Sequence, residues 1–307
     1  MIYTVTLNPS VDYVAEAPSF AAGTLNRLSE ELILPGGKGN NVSMVLKNLG
    51  IESTALGFVA GFTGRRIEEM LRERGIRTDF ISLPEGNSRI NMKIFSTKSG
   101  EETEINGCGP KISASALRDL QQKLGRLMKG DTLVLAGSIP PTLPDTIYEE
   151  FCSCQSGKGV RVIVDAQKTL LERVLPYQPF LVKPNHHELG EMFDTVIRTK
   201  EEAFCFGERL LEKGAQHVLV SMAGDGAVFL GKDGERLALE ACKGTVVNSV
   251  GAGDSMIAGF LAALEKGQTL EAAVETAVCC GSACAFLKGL PDRADVEKVL
   301  QKRKEER

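Results

Sequence analysis

The stretch NSVGAGDSMIAGFLAAL, residues 248–264, joins a glycine-rich turn to the start of an apolar helical pattern. That pattern begins at about Ser255, directly after the tetrapeptide at 251–254. A helix N-terminus collects unpaired backbone N–H groups and partial positive charge, and glycines beside it let a ligand approach the backbone. The stretch therefore suits an anion, although Asp254 taken alone is equally typical of a helix N-cap.

The composition is that of a globular protein large enough for one α/β core with an appendage. The chain has 307 residues, of which 43% are hydrophobic and 25% charged, and its net charge is −4. This acidic balance argues against a general nucleic-acid binder. The strand-like start at Met1 predicts no signal peptide, and the longest nearly apolar run, 277–287, is too short to span a bilayer.

The eight cysteines carry no metal signature, because none forms a CxxC pair and the three histidines complete no zinc pattern. Several of these cysteines lie in apolar segments. Reduced, buried thiols are typical of a cytoplasmic protein, so we expect a cytoplasmic location. The acidic balance and the short apolar run lead us to expect no nucleic-acid partner and no membrane partner.

From about Ser113 onward, predicted helices alternate with short, continuously apolar strands. Such strands are typical of a parallel sheet that helices cover on both faces, and ligands bind beyond the carboxyl ends of its strands. Four of these strands are predicted at 132–136, 161–165, 180–183 and 217–221. The polar residues expected at the ligand-binding edge are Asn8, Asp12, Ser138, Asp165, Lys183, Asn185 and Ser221.

The first third of the chain contains alternating strands that lack a helical rhythm of their own. A hairpin is predicted from 87–96 through a turn at 98–100 into 102–105. We interpret these strands as a small β-sheet lid, formed by residues 11–35 and 87–109. The α/β core, with the nucleotide and substrate sites, then comprises residues 1–10, 36–86 and 110–307.

The segment GGKGNN at 36–41 opens a predicted helix. It lacks the spacing of a P-loop, and Asn8-Pro9-Ser10 follows the first strand where a dinucleotide-binding protein would have GxGxxG. The segment is either a flexible turn or a close-fitting cradle for a polar ligand, since its three glycines stand beside a lysine and two asparagines.

Arg89, Asn91 and Lys93 alternate along the predicted hairpin, and the period of two puts their side chains on one face. One interpretation is a solvated strand edge protected by charge. The other adds Arg27, from a second predicted lid strand that runs over 27–34, and makes the cations a site for a substrate phosphate.

Lys183 ends a predicted strand, Asn185 follows it, and Glu188 opens the next helix. A glutamate in the first turn of a helix usually interacts with the helix dipole. Asn185 and Glu188 could instead orient magnesium-bound water near nucleotide phosphates, because Mg²⁺ prefers oxygen ligands and keeps several waters.

Three ordered motifs resemble the signatures of the ribokinase-type (PfkB) sugar kinases. The carboxyl-terminal signature, Asp/Asn-Ser/Thr-x-Gly-Ala/Ser-Gly-Asp, appears as NSVGAGD at 248–254. The amino-terminal signature, GG-x-G-x-N-x-A, appears as GGKGNNVS at 36–43, with two small departures at Asn40 and Ser43. The N-x-x-E motif is 185–188. The resemblance covers essentially the whole chain and implies a ribokinase-like three-layer α/β/α sandwich with a mostly parallel sheet and a small β-sheet lid.

The resemblance also implies a mechanism that uses ATP and Mg²⁺. Asp254 would be the general base for the accepting sugar hydroxyl, and the N–H groups of Gly251, Ala252 and Gly253 would hold the transferring phosphoryl group. The residues implied for the sugar phosphate are Asp12, Arg27, Gly37, Lys38, Asn41, Arg89, Asn91, Lys93 and Ser138. Those implied for ATP are Lys183, Asn185, Ser221, Ala223, Gly224, Gly226, Asn248 and Ser282. Asn185 and Glu188 would reach Mg²⁺ through water, and the adenine is expected near Val246 and Ser282.

Within the family, the chain looks most like the phosphosugar branch, the 1-phosphofructokinases and tagatose-6-phosphate kinases. The segments that carry this likeness are 6–12, 35–39, 89–93, 135–141 and 183–185. The expected reaction is ATP-dependent phosphorylation of a ketohexose monophosphate. Fructose 1-phosphate, giving fructose 1,6-bisphosphate, is the first choice, and tagatose 6-phosphate, giving tagatose 1,6-bisphosphate, is the alternative.

Two other classes of protein fit the sequence less well. A nicotinamide-dependent oxidoreductase would need GxGxxG after the first strand, and a non-catalytic sugar sensor would be expected to lose Asp254 or the glycines beside it. The resemblance further implies a homodimer that pairs through the lid, because an exposed sheet edge needs covering.

Overall fold

Two β-sheets organise the computed structural model, which describes residues 1–306. The strands are β1 (Ile2–Thr6), β2 (Ser10–Ala17), β3 (Glu30–Gly36), β4 (Ser53–Ala60), β5 (Arg77–Thr78), β6 (Ile81–Leu83), β7 (Arg89–Ser96), β8 (Glu102–Asn106), β9 (Thr132–Ala136), β10 (Arg161–Asp165), β11 (Leu181–Val182), β12 (His217–Ser221), β13 (Ala227–Gly231) and β14 (Arg236–Leu239).

The α-helices are distributed along the whole chain between these strands and after them. They are α1 (Lys38–Asn48), α2 (Gly61–Glu73), α3 (Ala114–Gly125), α4 (Ile147–Gln155), α5 (Lys168–Val174), α6 (His186–Met192), α7 (Lys200–Glu212), α8 (Ala252–Glu265), α9 (Leu270–Ala285) and α10 (Arg293–Glu305). None of the helices in the described part of the chain is both long and apolar enough to cross a membrane.

The large sheet has ten strands in the order β14-β13-β12-β11-β10-β9-β1-β4-β5, and β6 also pairs with β4. Every pairing from β12 to β5 and β6 is parallel. The strands β13 and β14 add an antiparallel edge. The prediction of a mostly parallel sheet is therefore confirmed.

Apolar side chains pack on both faces of this sheet, as the continuously apolar strands predict. In β9, Leu133 and Leu135 pack with residues of α3 to α7, whereas Val134 and Ala136 pack with residues of α1, α8, α9 and α10. The successive side chains of a strand point to opposite faces, so one strand serves both helical layers. The predicted three-layer arrangement is confirmed.

The small sheet has the strand order β3-β2-β7-β8. Strands β7 and β8 form the predicted antiparallel hairpin, and β2 runs parallel to β7 with Ser10 opposite Arg89. The strand predicted to start at Arg27 starts only at Glu30, because Glu30 already lies opposite Glu16 near the end of β2. Arg27 therefore lies in the exposed segment before β3 and not on a lid strand.

Helix α8 begins at Ala252 rather than at about Ser255. Its N-cap is Gly251, whose φ of 81° lies in the left-handed region that glycine adopts without a steric penalty. Asp254 consequently lies in the first turn of the helix, and its interpretation as an N-cap is wrong.

Candidate active site

Two cavities meet at the carboxyl ends of the parallel strands. The lid cavity, of about 760 Å³, lies between the large sheet and the lid, and the α8 cavity, of about 380 Å³, lies along the first turn of α8. The same four residues line both cavities: Lys38, Asp165, Gly251 and Asp254. Two ligands, one in each cavity, would therefore meet at Asp254, which is the geometry that transfer of a group between them needs.

The lid strands present a hydrogen-bonded carboxylate to the lid cavity. Asn91 donates to Asp12 Oδ1 (3.0 Å) and to Ser10 Oγ (3.1 Å), and Ser10 donates to the same Asp12 oxygen (2.6 Å). These bonds fix the Asp12 carboxylate at the wall of the cavity. An acceptor held in this way can bind the hydroxyl groups of a sugar.

Two cations reach the lid cavity from β7, on the face that the alternating pattern predicts. Arg89 is half-buried, and its Nε donates to the carbonyl oxygen of Asn8 (3.0 Å). Lys93 Nζ lies 2.8 Å from Glu104 Oε1, and the hydrogen bond from Lys93 holds the pKa of Glu104 below its ordinary value. A phosphate at this end of the cavity would compete with Glu104 for Lys93.

The other residues predicted for the sugar phosphate separate into two groups. Gly37, Lys38, Asn41 and Ser138 line the lid cavity together with the residues from the lid strands. Arg27 is exposed and is absent from the walls of this cavity. The structure therefore does not bring Arg27 together with Arg89 and Lys93.

Most of the residues predicted for the nucleotide line the α8 cavity. These are Lys183, Asn185, Ser221, Ala223, Gly226 and Ser282. Gly224 and Asn248 lie outside its walls, and Val246, beside which the adenine is expected, is 67% exposed. Asn248 Oδ1 accepts a hydrogen bond from the N–H of Val250 (2.9 Å), so its side chain stabilises the turn before α8.

Asn185 and Glu188 form a capping box at the start of α6. Asn185 Oδ1 accepts from the N–H of Glu188 (2.8 Å), and Glu188 Oε2 accepts from the N–H of Asn185 (2.8 Å). Glu188 therefore lies in the first turn of a helix, as expected, and the capping box occupies the single side-chain oxygen of Asn185 and one of the two carboxylate oxygens of Glu188. Both residues nevertheless line the α8 cavity, where they are available to a nucleotide.

Two acids and two lysines form a charged cluster where the cavities meet. Asp165 Oδ2 lies 3.1 Å from Lys38 Nζ, and Asp165 Oδ1 lies 3.4 Å from Lys183 Nζ. Asn41 Nδ2 donates to Asp254 Oδ2 (2.8 Å). The Asp165 and Lys183 side chains are only 2% and 4% exposed, so solvent screens their interaction weakly, whereas Lys38 is 41% exposed.

The pKa values of the two acids in the cluster are shifted in opposite directions. Burial and the negative charge of Asp165 raise the pKa of Asp254 to about 7, although Lys38, Asn41 and Lys183 oppose the rise. Burial also acts on Asp165, but the two ammonium groups prevail and hold its pKa below the ordinary value. At neutral pH, Asp254 can accept a proton, whereas Asp165 stays ionised and holds both lysines.

The first turn of α8 is shaped so that Lys183 can approach it. A Cβ at Gly253 would lie 2.9 Å from Lys183 Nζ, a distance that real Cβ atoms do not show. No side chain caps this end of the helix, and the N–H of Ala252 already bonds to the carbonyl oxygen of Ser249 (3.2 Å). The partial positive charge of the helix N-terminus and the ammonium group of Lys183 are therefore both directed at the start of α8, where they attract an anion.

Asp165 is predicted from the sequence only as a polar residue at the end of a strand and is not among the predicted site residues. A single acid at a strand end is also what a turn requires, and its partners, Lys38 and Lys183, lie far away in the sequence. Ser10, which orients Asp12, was missed because a serine after a strand is common in turns. Neither role has a local sequence signal.

Known proteins resemble this chain over nearly its whole length. The chain is 48% identical to the 1-phosphofructokinase of Bacillus subtilis, over 98% of this chain and 97% of that protein. It is 39% identical to the D-tagatose-1-phosphate kinase of Bacillus licheniformis, over 97% of each. Phosphofructokinase-2 of Escherichia coli in complex with fructose-6-phosphate has the same fold, with a TM-score of 0.90 at 26% identity over 98% of each chain. The family description "pfkB family carbohydrate kinase" matches residues 5–294, and the chain belongs to that family, as its three signature motifs predict.

Proposed function

We propose that this chain transfers the γ-phosphoryl group of ATP to a ketohexose monophosphate, and that its substrate is fructose 1-phosphate. The observation that carries the proposal is the meeting of two cavities at Asp254. The lid cavity offers Arg89 and Lys93 to a phosphate that the substrate already carries. The name of the Bacillus subtilis relative, 1-phosphofructokinase, supports the choice of sugar.

In the proposed reaction, Asp254 takes the proton of the accepting hydroxyl while the hydroxyl oxygen bonds to the γ-phosphorus. The bond from that phosphorus to the bridging oxygen breaks, and ADP leaves with the electron pair. The start of α8 and Lys183 offset the negative charge on the transferring group. Asp254 later releases its proton to solvent. The lid strands exclude water, which would otherwise accept the phosphoryl group.

We propose that Mg²⁺ enters this site with ATP. In residues 1–306, no group of three or more His, Cys, Asp or Glu side chains could hold a metal ion by itself. The donors present suit an ion that phosphate oxygens and water mainly coordinate, because the capping box engages only Oε2 of Glu188. Bound there with its waters against Asn185 and Glu188, Mg²⁺ would supply positive charge beside the phosphates.

Three sugar phosphates could each place a phosphate against Arg89 and Lys93. Fructose 1-phosphate, tagatose 6-phosphate and tagatose 1-phosphate each carry a phosphate at one end and a primary hydroxyl at the other. The Bacillus licheniformis relative is named for the last of these. Fructose and tagatose differ in the configuration of one hydroxyl group, and the two tagatose phosphates differ in which end carries the phosphate. Asp12 and Asn41 would therefore meet a different arrangement of hydroxyl groups in each substrate, so a substrate comparison decides between them.

The function is tested by ADP release with Mg-ATP and a panel of sugars. The panel holds fructose 1-phosphate, tagatose 6-phosphate, tagatose 1-phosphate, fructose 6-phosphate and free fructose. We expect the highest kcat/KM for fructose 1-phosphate. A preference for either tagatose phosphate would preserve the mechanism and change the substrate, whereas turnover of no sugar phosphate would contradict the proposal.

Arg89→Lys tests the phosphate end of the cavity within the same assay. Lysine keeps the charge but loses the two-pronged geometry of a guanidinium, so we expect KM for the sugar phosphate to rise about 10- to 100-fold, as for a lost hydrogen bond to a charged group of about 1.5–3 kcal/mol. Arg65→Lys, at an exposed position on α2, is the matched control and should leave KM unchanged. An unchanged KM in Arg89→Lys would place the substrate phosphate elsewhere.

We propose that the enzyme is a homodimer that pairs through the outer face of the lid. Tyr13 lies opposite both Ile33 and Met92, and Met92 lies opposite Ile105. The three aliphatic members of this row are 37–54% exposed, on the face away from the lid cavity. A row of apolar side chains that crosses all four strands is typical of a surface that another protein covers.

Light scattering tests the homodimer. We expect twice the chain mass of 33.1 kDa for the unmodified protein and the mass of one chain for Ile105→Lys. Val196→Lys, at an apolar position that is 64% exposed elsewhere on the surface, should remain dimeric. A mass of one chain at every concentration of the unmodified protein would contradict the proposal.

We also propose that the enzyme works in the cytoplasm, where ATP and sugar phosphates are available. All eight cysteines are free thiols in the structure, which is the state that a reducing compartment maintains.

A further inference from the structure

Two thiols face each other beside the α8 cavity. Cys242 lies in the segment after β14 and is partly exposed, whereas Cys279 is buried in α9. Their sulfur atoms are 3.5 Å apart. A disulfide bond is about 2.05 Å long, so the two sulfurs need to approach by only about 1.5 Å for a bond to form.

Arg303 of α10 holds a positive charge against one of these thiols. Its Nη1 lies 3.4 Å from Cys242 Sγ and also donates to the carbonyl oxygen of Glu240 (2.7 Å). Its Nε lies 3.4 Å from Glu275 Oε1 of α9. These contacts join α10, α9 and the segment after β14, so the guanidinium is fixed where a thiolate would form.

The two sulfurs consequently differ in their protonation. Hydrogen bonds from the Cys279 thiol and from Arg303 lower the pKa of Cys242 to about 6, whereas donation to Cys242 and burial raise the pKa of Cys279. Burial raises the pKa of Cys152 and of Cys280 to about 12. A thiolate with a protonated thiol beside it is the arrangement of a reactive cysteine and a resolving partner.

We propose that Cys242 and Cys279 form a reversible disulfide when the protein meets hydrogen peroxide. The Cys242 thiolate attacks one peroxide oxygen, the O–O bond breaks, and Cys242 becomes a sulfenic acid as hydroxide leaves. The Cys279 sulfur then gives up its proton and attacks the sulfur of Cys242, and the sulfenic oxygen leaves as water. The hydroxide takes up from solvent the proton that Cys242 lost when it ionised. The two thiols lose two electrons in all, and the peroxide is reduced to two molecules of water.

The disulfide would act on the nucleotide end of the active site, a consequence that rests on the proposed function. The N–H of Cys242 donates to Ser282 Oγ (3.1 Å), and both Ala241 and Ser282 line the α8 cavity. Moving Cys242 towards α9 therefore moves one wall of this cavity. We expect a several-fold higher KM for ATP in the oxidised protein and an unchanged KM for the sugar phosphate.

The chemistry is tested without any activity assay. The whole protein is exposed to graded hydrogen peroxide, alkylated and analysed by intact mass and peptide mapping. We expect a mass loss of about 2 Da, a Cys242–Cys279 peptide, and oxidation about tenfold faster than that of the exposed Cys205, reversed by a dithiol. Oxidation at Cys205 while both members of the pair stay reduced would overturn the proposal.

Three variants separate the steps, in a Cys108→Ser/Cys205→Ser background that removes the exposed thiols. Cys279→Ser should form no disulfide and should accumulate a sulfenic acid at Cys242 that dimedone traps. Cys242→Ser should leave Cys279 reduced. Arg303→Gln should slow oxidation of Cys242, since it removes the positive charge beside the sulfur. A Cys242 sulfur that reacts equally fast in Arg303→Gln would overturn the role of the guanidinium.

Kinetics on the oxidised and re-reduced background protein then test the consequence. A raised KM for ATP that the dithiol reverses, and that is absent from Cys279→Ser, supports the inference. A complete disulfide with an unchanged KM for ATP would overturn the link to the active site. If the protein phosphorylated no sugar phosphate at all, the proposed function would fail while the mass measurements still decided whether the disulfide forms.

Discussion

Asp254→Asn should lower kcat by about 10³-fold and at the same time stabilise the protein at pH 8. Loss of a general base commonly costs 10²- to 10⁴-fold in rate. The amide is close in shape to the carboxylate, and its oxygen can still accept the hydrogen bond from Asn41, so binding of both substrates should change little. The measurement is kcat and KM for both substrates by ADP release. A variant with more than a tenth of the normal kcat would exclude Asp254 as the base.

The gain in stability follows from the pKa of Asp254, which is about 7 in the folded protein, whereas the ordinary value for an aspartate in the unfolded chain is 3.8. Below about pH 4 the carboxyl is neutral in both states and costs nothing. Between about pH 4 and 7 the unfolded chain ionises first, so the free energy of unfolding falls as pH rises. Above pH 7 the folded protein bears the full cost of keeping the buried Asp254 carboxylate ionised. Removing the charge should therefore raise the free energy of unfolding by roughly 2–4 kcal/mol.

Urea unfolding of Asp254→Asn and of the unmodified protein at pH 5 and pH 8 measures this gain. The difference between the two proteins should be larger at pH 8 than at pH 5. Asp119→Asn, at an exposed position on α3, is the matched control and should shift neither stability nor kcat. Equal stability of Asp254→Asn and the unmodified protein at pH 8 would show that the buried carboxylate carries no penalty.

Asp165→Asn should destabilise the protein by about 3 kcal/mol at pH 8, because it leaves two lysines without the carboxylate that holds them. The pKa of Asp165 is lowered in the folded state, so its contribution is present above its unfolded pKa and is lost as pH falls through its folded pKa. The difference between the variant and the unmodified protein should therefore shrink in acid. Urea unfolding across pH measures it.

The same substitution should move the acid limb of the kcat/KM profile. In the unmodified protein, the limb should lie near pH 7, since Asp254 must be ionised to accept a proton. Asp165 raises the pKa of Asp254 by its charge, so Asp165→Asn should move the limb to lower pH. If the acid limb of the kcat/KM profile does not move in Asp165→Asn, the charge of Asp165 does not set the pKa of the catalytic base.

Glu265→Gln is the control for the loss of an ion pair in general. Glu265 pairs with Arg161 at a position where both side chains are about one-third exposed. Breaking such a pair costs at most about 1 kcal/mol, and it should leave the pH profile of kcat/KM unchanged. If Glu265→Gln lowers the free energy of unfolding as much as Asp165→Asn does, the buried cluster stabilises the protein no more than a partly exposed ion pair does.

The sequence predicts those parts of the fold that local patterns determine. Continuously apolar strands require helices on both faces, and this requirement is met at β9, where alternate residues serve opposite layers. The start of α8 was placed too late because Gly251 and Ala252 carry no strong local signal for a boundary. The position of Arg27 was wrong because a strand also needs a partner, and the ladder between β2 and β3 ends where Glu30 lies opposite Glu16.

The site shows the same division between local and tertiary signals. The alternation of Arg89, Asn91 and Lys93 predicts one face of a strand, and all three line the lid cavity. The cluster around Asp165 could not be predicted, because its lysines come from the start of α1 and from the residue that follows β11. The catalytic and binding roles stay predictions until the variants are measured.

The parallel pairing of β2 with β7 also sets the order in which this protein can be assembled. Ser10 meets Arg89 only after α1, β4 and α2, which the chain makes between them, have been synthesised. A hairpin of β2 and β3 alone would have an open edge, and an isolated two-stranded hairpin is at best marginally stable in water. On a ribosome, the Asp12 carboxylate and the Arg89 guanidinium can therefore come together only after residue 89 has been synthesised, and β2 has no β7 to pair with before that point.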